Sequence, residues 1–174
     1  MIFKVSKILG QAEFDSLPAA KITTYPKEEK DYKPFAQCAL CLSEDTLYLR
    51  MWAFEVTAMP TSSLRAEFFI FRDKPDIPLA VAIVSDGGVV AKVGDAEFDV
   101  AAKPHIGEDL QGVYWGATIQ IPFSKLEKIG GKLLCEVDHE FLGNFYKTCS
   151  DEPFVHEGCF FPEDSGGRFL VVGY

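Results

Sequence analysis

Two stretches constrain the fold of this chain more than any others. Thr46-Leu-Tyr-Leu-Arg-Met-Trp-Ala-Phe-Glu55 and Ser63-Leu-Arg-Ala-Glu-Phe-Phe-Ile-Phe-Arg72 alternate side-chain types with a period of two. That period belongs to a β-strand with two different faces. In the first stretch Leu47, Leu49, Met51 and Ala53 share the apolar face, and Tyr48, Arg50, Trp52 and Phe54 share the other. In the second, Leu64, Ala66, Phe68 and Ile70 are the apolar set, opposed by Arg65, Glu67, Phe69 and Phe71. Were the two strands neighbours, Arg50, Trp52, Arg65 and Glu67 would share one concave face. Flat rings interleaved with charged hydrogen-bonding groups suit a saccharide, which offers both C–H faces and hydroxyls. An ordinary solvated face with an Arg–Glu cross-strand pair fits the same pattern.

The rest of the chain repeats this texture. Gly, Pro and Asp turns, among them Met59-Pro60, Asp73-Lys-Pro-Asp76 and Gly130-Gly131, separate short apolar or alternating runs. They predict further strands at Phe3–Ile8, Phe35–Leu42, Leu79–Val84, Val89–Val93, Glu97–Ala101, Val113–Ile121, Leu133–Phe141 and Phe169–Val172. Asp86-Gly87-Gly88 between two Val-rich runs reads as a hairpin turn. Helical periodicity is confined to Pro122–Ile129, where Ser124 is a candidate cap and Gly130-Gly131 the stop. The expected fold is all-β: an antiparallel β-sandwich in the jelly-roll or immunoglobulin-like style with one or two short helices. No repeat or linker divides it, so one domain is expected over residues 1–174.

Composition narrows the partners. Of 174 residues, 48% are hydrophobic and 13% aromatic, which suffices for a substantial core. The net charge of -9 repels phosphate backbones and anionic lipid, so nucleic acid and membrane surfaces are not expected partners. No run approaches the roughly 20 apolar residues of a membrane helix. Met1-Ile-Phe-Lys-Val-Ser-Lys7 lacks the basic-then-apolar pattern of a signal peptide, and the five cysteines are odd in number. A reduced cytoplasmic setting is expected, with an extracellular one left open; oligomeric state has no signal.

Candidate chemistry is sparse. Trp115 and His139 fall on apolar stripes and read as core residues. Cys38-Ala-Leu-Cys41 has CxxC spacing but lies in a strand-like run, without the second pair a zinc site needs. Glu136, Asp138 and Glu140 would share one face of a Leu133–Phe141 strand, where carboxylates can hold a cation. Cys149 and His156 are close enough for a nucleophile and base, with no third group to orient them. There is no G-x-S-x-G, P-loop or G-x-G-x-x-G, hence no catalytic motif and no cofactor motif.

Four segments together resemble the family 9 carbohydrate-binding modules and their bacterial relatives. Ala36–Arg50 resembles that family's paired strands around an Asp-x-x-Leu-Tyr turn, and Ser63–Ile70 its Asp-Ser-Val-Glu-Ile-Phe strand. Trp115-Gly-Ala-Thr-Ile-Gln-Ile-Pro-Phe-Ser-Lys-Leu126 is similar to its strand ending in Ile-Pro and a short helix. Gly143-Asn-Phe-Tyr-Lys147 resembles the Asn-Phe-Tyr-Lys of a carbohydrate-binding-like branch. The resemblance runs from Lys30 to Tyr174 and implies a β-sandwich that binds sugar without catalysis. It implies a strand carboxylate at Glu67. Sugar-binding members clamp the ligand between two Trp rings. At those places this chain has Met59 and Pro60, and Phe160 and Phe161.

The expected ligand site is a patch of Arg65 and Glu67 bordered by Asn144, Tyr146, Lys147 and His156. Asn144 and Tyr146 share a parity, Lys147 has the opposite one, and His156 lies in a segment expected to loop over the patch. Two other functions remain open: a glycosidase using Glu136 and Glu140, and a haem-binding sandwich with Met and His ligands.

Overall fold

A computed structural model describes residues 1–26, 34–110, 112–162 and 167–173. Among them, thirteen strands join into one sheet. In chain order they are β1 (Ile2–Lys7), β2 (Ala20–Lys21), β3 (Phe35–Leu42), β4 (Thr46–Glu55), β5 (Ser63–Phe69), β6 (Leu79–Val84) and β7 (Val89–Val93). There follow β8 (Ala96–Phe98), β9 (Ala101–Asp109), β10 (Gly112–Pro122), β11 (Glu140–Cys149), β12 (His156–Cys159) and β13 (Arg168–Val172). A short 3-10 turn, Phe14–Ser16, and one helix, α1 (Phe123–Gly130), complete the described elements.

The sheet runs β8-β7-β6-β5-β11-β13-β1-β3-β4-β10-β9, with β12 on β11 and β2 on β3. It curls into two limbs, β8 to β13 and β1 to β9, which bury their inner faces in a shared apolar cluster. Leu64, Ala66 and Phe68 come to that cluster from β5, and Leu47, Leu49, Met51 and Ala53 from β4. The two faces of each alternating stretch are thus the inner and outer faces of a limb as far as Phe69; β5 ends there, and Phe71, expected opposite the apolar set, is instead buried with Ile70 in the same cluster. Five Phe rings fill the first limb's interior: Phe68, Phe141, Phe145, Phe161 and Phe169. Phe169 stacks on Phe141 at 5.2 Å and meets Phe68, Phe145 and Phe161 edge-on, so truncating it would cost about 3–5 kcal/mol.

The expectation of a wholly antiparallel sheet is corrected. β1 pairs parallel with both β13 and β3, so the sheet is mixed. The cause is positional: the N-terminal strand enters between two strands that run its own way and seals the limbs together. The helix expected at 122–129 is present, but Pro122 is its N-cap and Ser124 lies inside it; Gly131, at φ +89, ends it.

The predicted Leu133–Phe141 strand is also corrected. The segment before β11 is irregular and touches the sheet through a bridge from Leu133 to Phe71. Asp138 adopts φ +74, which a regular strand does not allow. Glu136, Asp138 and Glu140 therefore share no strand face. Among the described residues, no helix is long and apolar enough to cross a membrane.

Candidate functional site

The outer face of β5 and β11 carries a polar ladder. The antiparallel register sets Asn144 opposite Glu67, Tyr146 opposite Arg65 and Thr148 opposite Ser63. Directly opposed side chains in such a pair sit about 4.5–5.5 Å apart at Cβ, so each row interacts. The Arg65 guanidinium lies over the Tyr146 ring at 4.5 Å from its centroid. It approaches the Glu67 carboxylate at 4.0 Å, and Ser63 and Thr148 hydroxyls bond at 2.8 Å. Burial, then the Glu67 charge, raises the Tyr146 phenol above its ordinary pKa, so it stays protonated and able to donate. On the neighbouring strand β6, Ala82 faces Arg65 and Ala80 faces Glu67. Their short side chains leave the surface low beside the ladder, while Lys92 rises beyond Ala80 on β7.

Asn144 is committed to structure. Its Oδ1 accepts from the Phe145 and Phe161 N–H groups, and its Nδ2 donates to the Phe161 carbonyl. It pins the chain around Phe161 against β11.

Lys147 and His156 lie elsewhere. Parity already turned Lys147 away from Asn144 and Tyr146, and it is 0% exposed, inside the limb. His156 is the first residue of β12, paired with β11, and its ring also points inward. They meet Glu55, the inward last residue of β4. The Lys147 ammonium donates to Glu55 Oε1 at 3.1 Å and lies 2.6 Å from His156 Nε2. Ser62 Oγ and the Trp115 Nε1 also donate to the Glu55 carboxylate, at 3.2 and 2.7 Å. Burial lowers the pKa of Lys147 against the opposing pull of Glu55. Burial and the Lys147 charge lower that of His156. Of the six expected site residues, four share the outer ladder and two stand behind the sheet in a buried charge cluster.

The expectation of one face for Arg50, Trp52, Arg65 and Glu67 is corrected as well. β4 pairs with β3 and β10, and β5 with β6 and β11. The two sets are therefore on the outer faces of opposite limbs. The positions of the family's Trp clamp carry no exposed ring pair. Phe161 is buried and packs on Phe160 at 4.7 Å, and Phe160 in turn meets Phe3 and Phe145.

The remaining candidates are occupied by other contacts. Glu136 pairs with the buried Lys7 at 3.0 Å, and its N–H donates to His139 Nδ1. His105 Nε2 shares a 2.8 Å hydrogen bond with Thr118, and Met51 is buried on the inner face of β4. Cys149 is the register partner of His156, yet its sulfur contacts Thr61 and the Asp151 carbonyl, while His156 Nδ1 meets the Phe154 carbonyl. Burial drives the Cys38 thiol well above its ordinary pKa and the Cys41 thiol to about 12, so neither is a ready nucleophile. Among the described residues, no group of three or more His, Cys, Asp or Glu gathers as metal ligands.

No protein-family model matches this chain, and no curated protein matches it. Solved structures do. A protein from Bacteroides uniformis, provisionally described as carbohydrate-binding, matches 98% of both chains with TM-score 0.70 and 15% identity. A family 9 carbohydrate-binding module from Caldicellulosiruptor kristjanssonii, in complex with cellotriose, matches all of this chain and 95% of its own with TM-score 0.67 and 11% identity. A family 9 module from the same organism, in complex with glucose, gives TM-score 0.65 at 11% identity, over 100% of this chain and 97% of its own. The fold is that of the family 9 carbohydrate-binding modules, as the sequence resemblance implied.

Proposed function

We propose that the chain is a non-catalytic carbohydrate-binding module, a single sandwich domain that takes a saccharide on the outer face of β5 and β11. Arg65 and Glu67 supply the charged hydrogen bonds, and the Tyr146 hydroxyl supplies a third polar contact. Asn144 holds the adjoining chain in place. Lys147 and His156 support the strand from behind and contact no sugar.

The observation that carries the reading is the Arg65 guanidinium lying over the Tyr146 ring with Glu67 beside it. A stacked Arg has lost much of its rotamer freedom before a ligand arrives, so less ordering is left for binding to overcome. The low strip over Ala80 and Ala82 gives a sugar ring room against the charges. The whole-length likeness to modules solved with cellotriose and glucose supports the same ligand class.

A glycan array probed with purified protein tests this. Retention of at least one oligosaccharide class, reduced in both Arg65→Ala and Glu67→Ala, is the expected result. An array with no retained glycan would overturn the reading.

A further inference from the structure

The opposite limb carries a second feature that the proposed site does not use. On the outer face of β3, β4, β10 and β9, the register lines up Gln37, Trp52, Gly116 and His105 in one row across four strands. The row before it is Ala39, Arg50, Thr118 and Lys103, and the row after it is Phe35, Phe54, Tyr114 and Gly107. Gly116 leaves a gap in the middle row. It has to be glycine, because a Cβ there would collide with the Met51 carbonyl of β4. Around it Arg50, Trp52, His105 and Tyr114 wall an open hollow of about 350 Å³. A narrower hollow of about 140 Å³ continues from Trp52 and Arg50 past Gln37 to Phe14 and Asp15.

The walls are rings and hydrogen-bonding groups together. Trp52 is half-buried and braced by Phe35, with ring centroids 5.2 Å apart. Tyr114 is 39% exposed, and its ring lies over Gly107, where any side chain would displace it. As diagonal neighbours across the β4–β10 pair, the two rings have Cα atoms roughly 7–8 Å apart. Arg50 is held over the Phe14 ring at 5.4 Å and faces the Asp15 carboxylate at 3.4 Å. Asp15 is almost wholly in water, so its pairing with Arg50 is weak and open to a third group.

We infer that this face is a second binding site, for an uncharged oligosaccharide laid across Trp52 and Tyr114 with adjacent hydroxyls on Arg50 and Asp15. A vicinal diol can accept from the guanidinium and donate to the carboxylate at once, which an exposed Arg–Asp pair offers and a lone cation does not. The rings cover the sugar's C–H faces. The chain's net charge of -9 favours a neutral ligand over an acidic one. Burial and the charges of Lys103 and Arg50 keep His105 below its ordinary pKa, so near neutral pH it is an uncharged hydrogen-bonding wall.

The two Trp residues make the test specific. Trp115 is 1% exposed in the core, so a ligand-dependent change in emission reports on Trp52. The full chain is titrated with cellohexaose, xylohexaose and hexagalacturonate. A saturable change with a neutral hexasaccharide is expected, weakened at least about tenfold in Arg50→Gln and also in Asp15→Asn. Circular dichroism confirms that both surface variants are folded. No saturable change with either neutral sugar overturns the inference. So does undiminished affinity in both folded variants, or a preference for hexagalacturonate that Asp15→Asn strengthens. Because Trp52 is on the other limb from Arg65 and Glu67, the result is independent of the fate of the β5–β11 site.

Discussion

Glu55→Gln is the most revealing single change to the interior. Glu55 is 2% exposed and its carboxylate faces three donors: Lys147, Ser62 and Trp115. A carboxylate has acceptor sites for all three, whereas an amide has one oxygen and an NH2 that must point at one of those donors. The substitution also leaves the Lys147 ammonium, 0% exposed, without its counter-charge. Breaking a buried pair by removing one partner costs about 3–5 kcal/mol. At about 2–4 °C per kcal/mol for a chain of this size, the melting temperature falls by about 6–20 °C. Thermal unfolding followed by circular dichroism measures this. Lys147→Met in the Glu55→Gln background should add less than it costs alone, because the uncompensated charge is then gone. A Glu55→Gln protein within about 1 kcal/mol of the parent would refute the reasoning, since the cluster would then be neutral or hydrated.

Other expectations follow from the same contacts. The folded pKa of His156 lies below its unfolded value, so the unfolded chain binds more protons between the two. Stability is therefore lost as pH falls below about 6.5, and melts from about pH 7.5 to pH 5 should show a smaller loss in His156→Gln. Asn144→Ala removes two hydrogen bonds that hold Phe161 and a third to the Phe145 N–H, and should destabilise by about 2–3 kcal/mol in urea unfolding; a change under about 0.5 kcal/mol would place the anchor elsewhere. Cys38 and Cys41 should resist a thiol reagent in the native protein and react at once in denaturant; rapid native labelling of either would contradict their burial.

The period of two made the faces of β4, β5 and β10 legible, with Tyr48 of β4 the exception in being buried from the outer side, and Trp115 falls in the core as its stripe requires. Strands β3, β6 and β7 have the very bounds expected of them. Which strands become neighbours was not legible. Parity assigns a side chain to a face but is silent about which limb that face belongs to, so Arg50 and Trp52 were joined to Arg65 and Glu67 across a pairing that does not exist. The apolar alternation of Leu133, Cys135 and Val137 resembles a strand, but the segment turns: Leu133, Leu134 and Cys135 pack on the core in succession, and Val137 is 43% exposed. The buried cluster did leave a trace. Glu55 continues the core parity of Leu47 to Ala53, and Lys147 continues that of Phe141 and Phe145. Two opposite charges at core positions point to each other even when 92 residues apart. The Asn144 anchor had no such trace, since its partners are backbone groups, which every residue carries alike.

Calorimetric titration with the best saccharide found on the array, in parent and Glu67→Ala protein, tests the central claim most directly. The account predicts saturable binding by the parent and a loss of about 1–3 kcal/mol in the variant, the usual effect of removing a charged hydrogen-bond partner. Unchanged affinity in a folded Glu67→Ala protein would contradict the placement of the site on β5 and β11.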